Sequence, residues 1–368
     1  MPADVVARLR LIRTDSIGPI TYRQLMARFG DAETALRMLP DLARRGGRGL
    51  SIATVAAAEA ELETLARLGA TMIFIGTPAY PPLLAAIESA PPVLSARGDL
   101  GLLKRPAVAI VGARNASAAG VRMARQLASD LAAEDLVVIS GLARGIDAAA
   151  HAGAMAGGTI AVVAGGVDIV YPPENAALTA EIAEKGLILA EQMPGVEPQA
   201  RHFPRRNRII AGLAAGTLVV EGAPKSGSLI TARIAAEAGR EVMAIPGSPL
   251  DPRAQGCNLL IREGATLVQS AADVVEALSA FGQGIGAGPQ LGLRYKAAEP
   301  AGWFDDVAPE AGDAEAAAVS ALLSPAPVAI DELVRQSGLP AAMVATVLLD
   351  MELAGRLVRH AGGRVAAA

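Results

Sequence analysis

Cysteine, histidine, lysine and aromatic rings are all scarce in this sequence, and each shortage narrows what the chain can be. One cysteine, Cys257, allows no disulfide within the chain and no cysteine-based metal centre. His151, His202 and His360 stand far apart and form no metal-ligand pattern. Nor is there an apolar run near the roughly 20 residues that cross a bilayer. The opening segment MPADVVARLRLIRTDS carries charges through its apolar stretch and does not read as a signal peptide. A soluble cytoplasmic protein is the expectation, with no metal, no cofactor and no membrane contact. The GxGxxG turn of dinucleotide-binding folds is missing too. GARNAS, after a central strand, holds one glycine.

What is present is a chain of 368 residues, 52% hydrophobic, with room for two or three domains. Residues 1–70 read as helices, because VVARLRLI, TYRQLMARFG and ATVAAAEAELETLARLG space their apolar residues helically. SIGPITYRQLMARFGDAETAL resembles small modules that end in a helix–hairpin–helix turn; a plain packing domain is the alternative. Over 71–280 short Val- and Ile-rich runs alternate with helical segments. Eight such runs, TMIFIG, AVAIVG, LVVIS, TIAVVAG, LILAE, TLVVEG, EVMAIPG and TLVQS, are mostly apolar throughout. Strands covered by helices on both faces have that character, so a doubly wound α/β fold with a parallel sheet is expected. Residues 281–312 are rich in Gly, Pro and Ala and read as a linker. Residues 313–368 read as a helix-turn-helix followed by a two-stranded wing.

Ligands of doubly wound sheets lie beyond the carboxyl ends of the strands. Polar loops follow four of the expected strands there. The first carries Arg114, Asn115 and Ser117, the second is SGLARGID with Arg144, the third is Gly165-Gly166-Val167-Asp168, and the fourth holds Lys225-Ser226-Gly227-Ser228 ahead of a helix. Free N–H groups at that helix start, with a glycine that lets the backbone approach, suit an anion. Only four lysines stand against 29 arginines, which singles out Lys225. Arg114 can fork a phosphate or pair with a carboxylate such as Asp147. Arg144 fits a structural turn as well as a ligand contact. Arg201, Arg205, Arg206 and Arg208 crowd one helix start, carrying more charge than one small ligand needs; a solvated face, or a buried pair for Arg208, is the alternative. Phe203 can stack a base or anchor the FP turn. His151 lies one helical turn after Asp147, within reach of a hydrogen bond, and no catalytic constellation emerges. Tyr171-Pro172-Pro173 reads as a turn.

In combination the motifs VAIVGARNASAAG, SGLARGIDAAAHAGA, GGVDIVYPPENAALTAEI, FPRRNRIIAGLAAGTLVVEGAPKSGSLITARIAAEAGREVMAIPG and GCNLLIREGA, in this order over about 105–270, resemble the DNA-processing protein A family (DprA, also called Smf). That resemblance implies an extended Rossmann-like sheet without nucleotide chemistry and a homodimer formed through it. It implies a non-enzymatic binder of single-stranded DNA that loads RecA onto the strand in natural transformation and recombination. By position it implies that Arg114 and Lys225 with Ser226, Gly227 and Ser228 line the strand pocket; from the loops and the basic cluster, contacts are expected also from Asn115, Ser117, Arg144, Arg205 and Arg206. The family often has an aromatic residue before the glycine of the first loop motif, where this chain has Ala119 before Gly120. With aromatic residues at 3% of the chain, phosphate contacts should dominate affinity.

An enzyme reading competes: a Rossmann-like nucleotide phosphoribohydrolase with a GGxGTxxE loop. The corresponding GAPKSGSLITA has a lysine and no acid until Glu237, which argues against hydrolysis. A pyridine-nucleotide oxidoreductase lacks its GxGxxG. For the winged helix, 341–355 contains no Lys or Arg and carries Asp350 and Glu352, so protein contacts are expected there in place of duplex reading.

Overall fold

A computed structural model describes residues 2–45, 51–284, 312–360 and 362–368. Four helices come first: α1 (Ala3–Arg13), α2 (Pro19–Phe29), α3 (Ala32–Arg45) and α4 (Val55–Arg67). Gly18 caps α2 in extended backbone and Pro19 opens it, the position where a missing N–H costs nothing. The α/β part follows with β1 (Ala70–Phe74), α5 (Pro82–Ala85), β2 (Val93–Gly98), β3 (Ala107–Val111), α6 (Ala118–Ala133), β4 (Val137–Ser140) and α7 (Ile146–Ala154). It continues with β5 (Thr159–Val163), α8 (Ala176–Lys185), β6 (Leu187–Ala190), α9 (His202–Leu213), β7 (Gly216–Val219), α10 (Gly227–Glu237), β8 (Glu241–Ala244), α11 (Gln255–Arg262), β9 (Thr266–Leu267) and α12 (Ala271–Gly284). The first residues of the expected linker thus belong to α12; positions 285–311 lie outside the described residues. Last come α13 (Asp313–Ala321), β10 (Val328–Ala329), α14 (Ile330–Ser337), α15 (Ala341–Leu353), β11 (Leu357–His360) and β12 (Arg364–Ala367).

These elements form two compact units, one of residues 1–60 with 300–368 and one of residues 61–299. The second is built on a nine-stranded sheet in the order β1-β2-β6-β5-β4-β3-β7-β8-β9. From β6 to β9 every pairing is parallel, while β2 joins β6 and β1 joins β2 antiparallel. All residues of β3, β4, β5, β6 and β7 are buried, as unbroken apolar runs under helices on both faces should be. Val108, Ile110, Val138 and Leu218 pack with Leu127 and Leu131 of α6 and Ile146 and Ala150 of α7. Strand β2 is an addition to the eight expected. Its sequence VLSARG, behind two prolines, is no apolar run, because Ser95 and Arg97 interrupt it.

Strand order places the site. The chain builds β4, β5 and β6 on one side of β3, then crosses back to lay β7, β8 and β9 on the other. The loops after β3 and β7 therefore flank the reversal point, where such sheets bind ligands. Gly145 seats the loop after β4 on the loop after β3. Its φ of +77° is left-handed, and a Cβ would overlap Ala113 O.

In the terminal unit, α14 and α15 form the helix-turn-helix, Gly338 closing α14 in left-handed backbone. β11 and β12 make the wing, joined by β10 into a three-stranded sheet.

Candidate nucleic-acid interface

An open cleft of about 460 Å³, counting the solvent at its mouth, lies at the carboxyl ends of β3, β4 and β5. Arg114 comes from the loop after β3; Gly141, Leu142, Ala143 and Arg144 from that after β4; Gly165, Ile169, Tyr171 and Pro172 from that after β5. Helix α9 closes it with Phe203 and Arg206.

Arg206 is the central feature. It is only 6% exposed, yet its guanidinium has no carboxylate within ion-pair distance among the described residues, and its Nε has no hydrogen-bond partner there. It lies against Gly141, where a Cβ would overlap Nη1, so glycine is what admits it. Asp147, 6% exposed, supports the opposite charge from behind. Its carboxylate accepts from Gly141 N at 3.1 Å and from Ala143 N at 3.4 Å. Burial pushes the Asp147 carboxyl up, against the Arg206 charge and those two amides. Burial likewise lowers Arg206 to about 10; Asp147 opposes the shift and the like charge of Arg114 adds to it. Asp147 thus offsets the Arg206 charge without an ion-pair contact.

Arg114 is exposed, with its guanidinium carbon 4.9 Å from the Phe203 ring centroid. The pairing with Asp147 left open by the sequence does not form. Tyr171 packs its ring on Phe203 at 5.8 Å and stays 45% exposed. The sequence reading missed Tyr171 as a site residue, taking it for part of a turn. The signal was its rarity, one of four tyrosines, in the loop that follows β5. Arg144 lines the cleft and reaches Glu174 at 3.4 Å in a well-exposed pair, which contributes little and is easily exchanged.

Other candidates stand apart from the cleft. Ser117 is occupied: its N–H and hydroxyl donate to Glu221 at 2.9 and 2.5 Å, and its Oγ accepts from Gly120 N. It caps α6 and ties the β3 loop to the β7 loop. Glu221 is thus an acid at the head of the β7 loop, four residues before Lys225 and committed to Ser117. Asn115 and Arg205 are exposed. Lys225 is exposed just ahead of α10, where Gly227 faces open space. The hydroxyls of Ser226 and Ser228 bond each other at 2.7 Å. Asn207, next to Arg206, donates to Gly227 O at 3.3 Å and so joins α9 to this loop. Arg208 forms the buried pair foreseen for it, with Glu191 at 2.5 Å, and also donates to Ser89 O. The expected Asp147–His151 hydrogen bond is corrected: His151 Nδ1 meets Thr159 Oγ1 at 2.7 Å on β5 instead, because Asp147 turns to the amides of its own loop. Among the described residues no group of His, Cys, Asp and Glu could hold a metal ion.

Three family profiles match in chain order: a DprA-like N-terminal HHH domain over 2–64, DNA recombination-mediator protein A over 71–279, and a DprA winged helix domain over 305–363. The DNA processing protein DprA of Streptococcus pneumoniae is 49% identical over 198 residues, 53% of this chain and 70% of that protein. The X-ray structure of DNA processing protein A from the same organism superposes with a TM-score of 0.59 at 39% identity, covering 69% of this chain and 92% of that one. The Helicobacter pylori DNA processing protein A, whose structure is described in terms of its single-stranded DNA binding mode, superposes with a TM-score of 0.53 at 27% identity, covering 57% and 96%. On its fold and its three matched segments, the chain belongs to the DprA/Smf family of DNA-recombination mediators.

Proposed function

We propose that the cleft holds the backbone of single-stranded DNA and that this protein delivers the strand to a RecA-type recombinase. The observation that carries this is Arg206, a buried guanidinium with no carboxylate in ion-pair contact among the described residues, opening into a cleft that Arg114 also faces. Two like charges that destabilise each other are both relieved by one phosphodiester. Tyr171 offers a ring face to an unpaired base, which a base inside a duplex cannot use. Lys225 and the amides that open α10 extend the track, and Asn207 couples the two stretches. A mononucleotide would need one of them; a strand repeats its phosphates across both. The strand-contact set proposed is Arg114, Arg144, Arg205, Arg206, Lys225 and Gly227, with Asn115 at the rim. Ser117, Ser226 and Ser228 serve as loop supports through the bonds described above. The work is binding, with no covalent step, and a RecA-type partner places it in the cytoplasm.

Binding of single-stranded and duplex oligonucleotides across a salt series tests this. Arg114→Glu and Lys225→Glu should each weaken single-strand binding alike for all sequences, since phosphate contacts carry no base information. Each should also reduce the log–log salt slope by about 0.7. Wild-type affinity and slope in both variants would refute the site. Release of free base from purine mononucleotides would favour the hydrolase reading instead.

Self-association through the α/β unit is part of the same proposal. Leu250 is 92% exposed and Leu267, on the short last strand β9, is 46% exposed, which leaves apolar surface and a sheet edge to cover. Sedimentation at on the order of 10⁻⁵ M should show a dimer; a monomer there would count against it.

A further inference from the structure

Winged helices read duplex DNA with the outward face of their second helix. Here that helix is α15, and the face is covered. Val344, Val347, Leu348 and Met351 form its inner stripe and pack in the core of the C-terminal module. Leu349 and Leu353 are just as buried, at 2% and 3% exposure, yet take no part in that core, and Thr346 is 3% exposed. Their spacing of three and four residues puts them on a second stripe of the same helix. Helices α2 and α3 pack against α15.

Polar contacts close the margin. Arg28 of α2 donates to Asp350 at 2.6 Å, with the arginine side chain 12% exposed. Arg359, on wing strand β11, donates from Nε to Glu352 at 2.9 Å and from Nη2 to Gln24 of α2 at 3.2 Å. Both carboxylates that would repel a duplex from this helix are therefore matched by arginines, one of them from the other end of the chain. Removing one member of such a half-dry pair strands the other charge.

We propose that the N-terminal helical module is the standing partner of the winged helix: it occupies the reading face of α15, and the two ends of the chain act as one clasp.

The test uses the full chain with Cys257→Ala, which removes the native thiol, and Thr346→Cys, which puts a reporter on the covered stripe. The introduced thiol should react with a maleimide at least tenfold more slowly than when Arg28→Asp is added. Asp350→Arg alone should also speed labelling, and Arg28→Asp with Asp350→Arg should restore protection. If Arg28→Asp unfolds the N-terminal helices, the reporter, which sits in the other module, still becomes exposed. Fast labelling in the chain with native Arg28 and Asp350, or labelling indifferent to Arg28→Asp, would overturn the proposal.

Discussion

His151 is the side chain whose protonation folding alters most plainly. Thr159 Oγ1 donates to Val138 O at 2.9 Å, so at 2.7 Å it must accept from His151 Nδ1–H. Nε2 is left as a bare acceptor, buried and without a partner among the described residues. Burial first, and the Arg206 charge second, push its pKa down to about 3. The folded value lies below that of the unfolded chain, near 6.5. The stability this group contributes is therefore complete above about pH 6.5 and lost as pH falls from there towards 3, at about 1.4 kcal/mol per unit. Asp147, shifted up by burial, acts in the opposite sense, so the comparison has to isolate the histidine. Denaturant unfolding of the native chain and of His151→Gln at pH 7, 5 and 4 should show the variant losing less stability with acid. Parallel profiles would contradict the assignment. Sequence spacing placed His151 correctly on the face of α7 near Asp147. Its true partner lies across on β5, a tertiary fact that spacing along one helix does not contain.

Among elements, the parallel strands were legible because strands buried on both faces are apolar at most positions, and the loops after them were legible because they are not. The loops bearing Arg114, Arg144 and Lys225 were assigned to one rim on that basis. What could not be read was which arginine of the 201–208 cluster turns inward. Arg205 and Arg206 are neighbours in one polar run, and only the tertiary fit of the Arg206 side chain against Gly141 distinguishes the buried one from the exposed one. Strand β2 escaped because Ser95 and Arg97 interrupt it, though Ser95 is buried between β1 and β6. The fit of α9 on the end of β4 gives an element-level prediction. In Gly141→Ala the methyl group meets the Arg206 guanidinium, which must move or take α9 with it. Single-strand affinity should fall about tenfold, roughly 1.4 kcal/mol, with the Asp147 carboxylate less well countered. Titration of labelled oligonucleotide would show this, and unchanged affinity would mean that Arg206 does not contact the strand.

At the scale of the molecule, the first 60 residues and the last 69 share one unit and the nine-stranded sheet occupies the other. The sequence suggested two separate flanking modules, because nothing in α2 or α15 alone names its partner; the pairs Arg28–Asp350 and Gln24–Arg359 join positions more than 300 residues apart. A chain ending after about residue 285 should keep near-full single-strand affinity, since the cleft lining and the proposed contacts all fall within residues 114–227. The same truncation should make α2 and α3 more sensitive to proteolysis, because it removes what covers them. Loss of binding, or N-terminal helices as resistant as before, would each disprove its half of that statement. The arrangement also makes the α/β unit an insertion within the terminal unit. Tension applied between the two ends of the polypeptide is then met by the packing of α2 and α3 on α15 together with the Arg28–Asp350 and Arg359–Gln24 contacts. Force on the ends then meets that contact before the inserted unit, and the proposed strand site would be shielded from pulling on the protein's own termini.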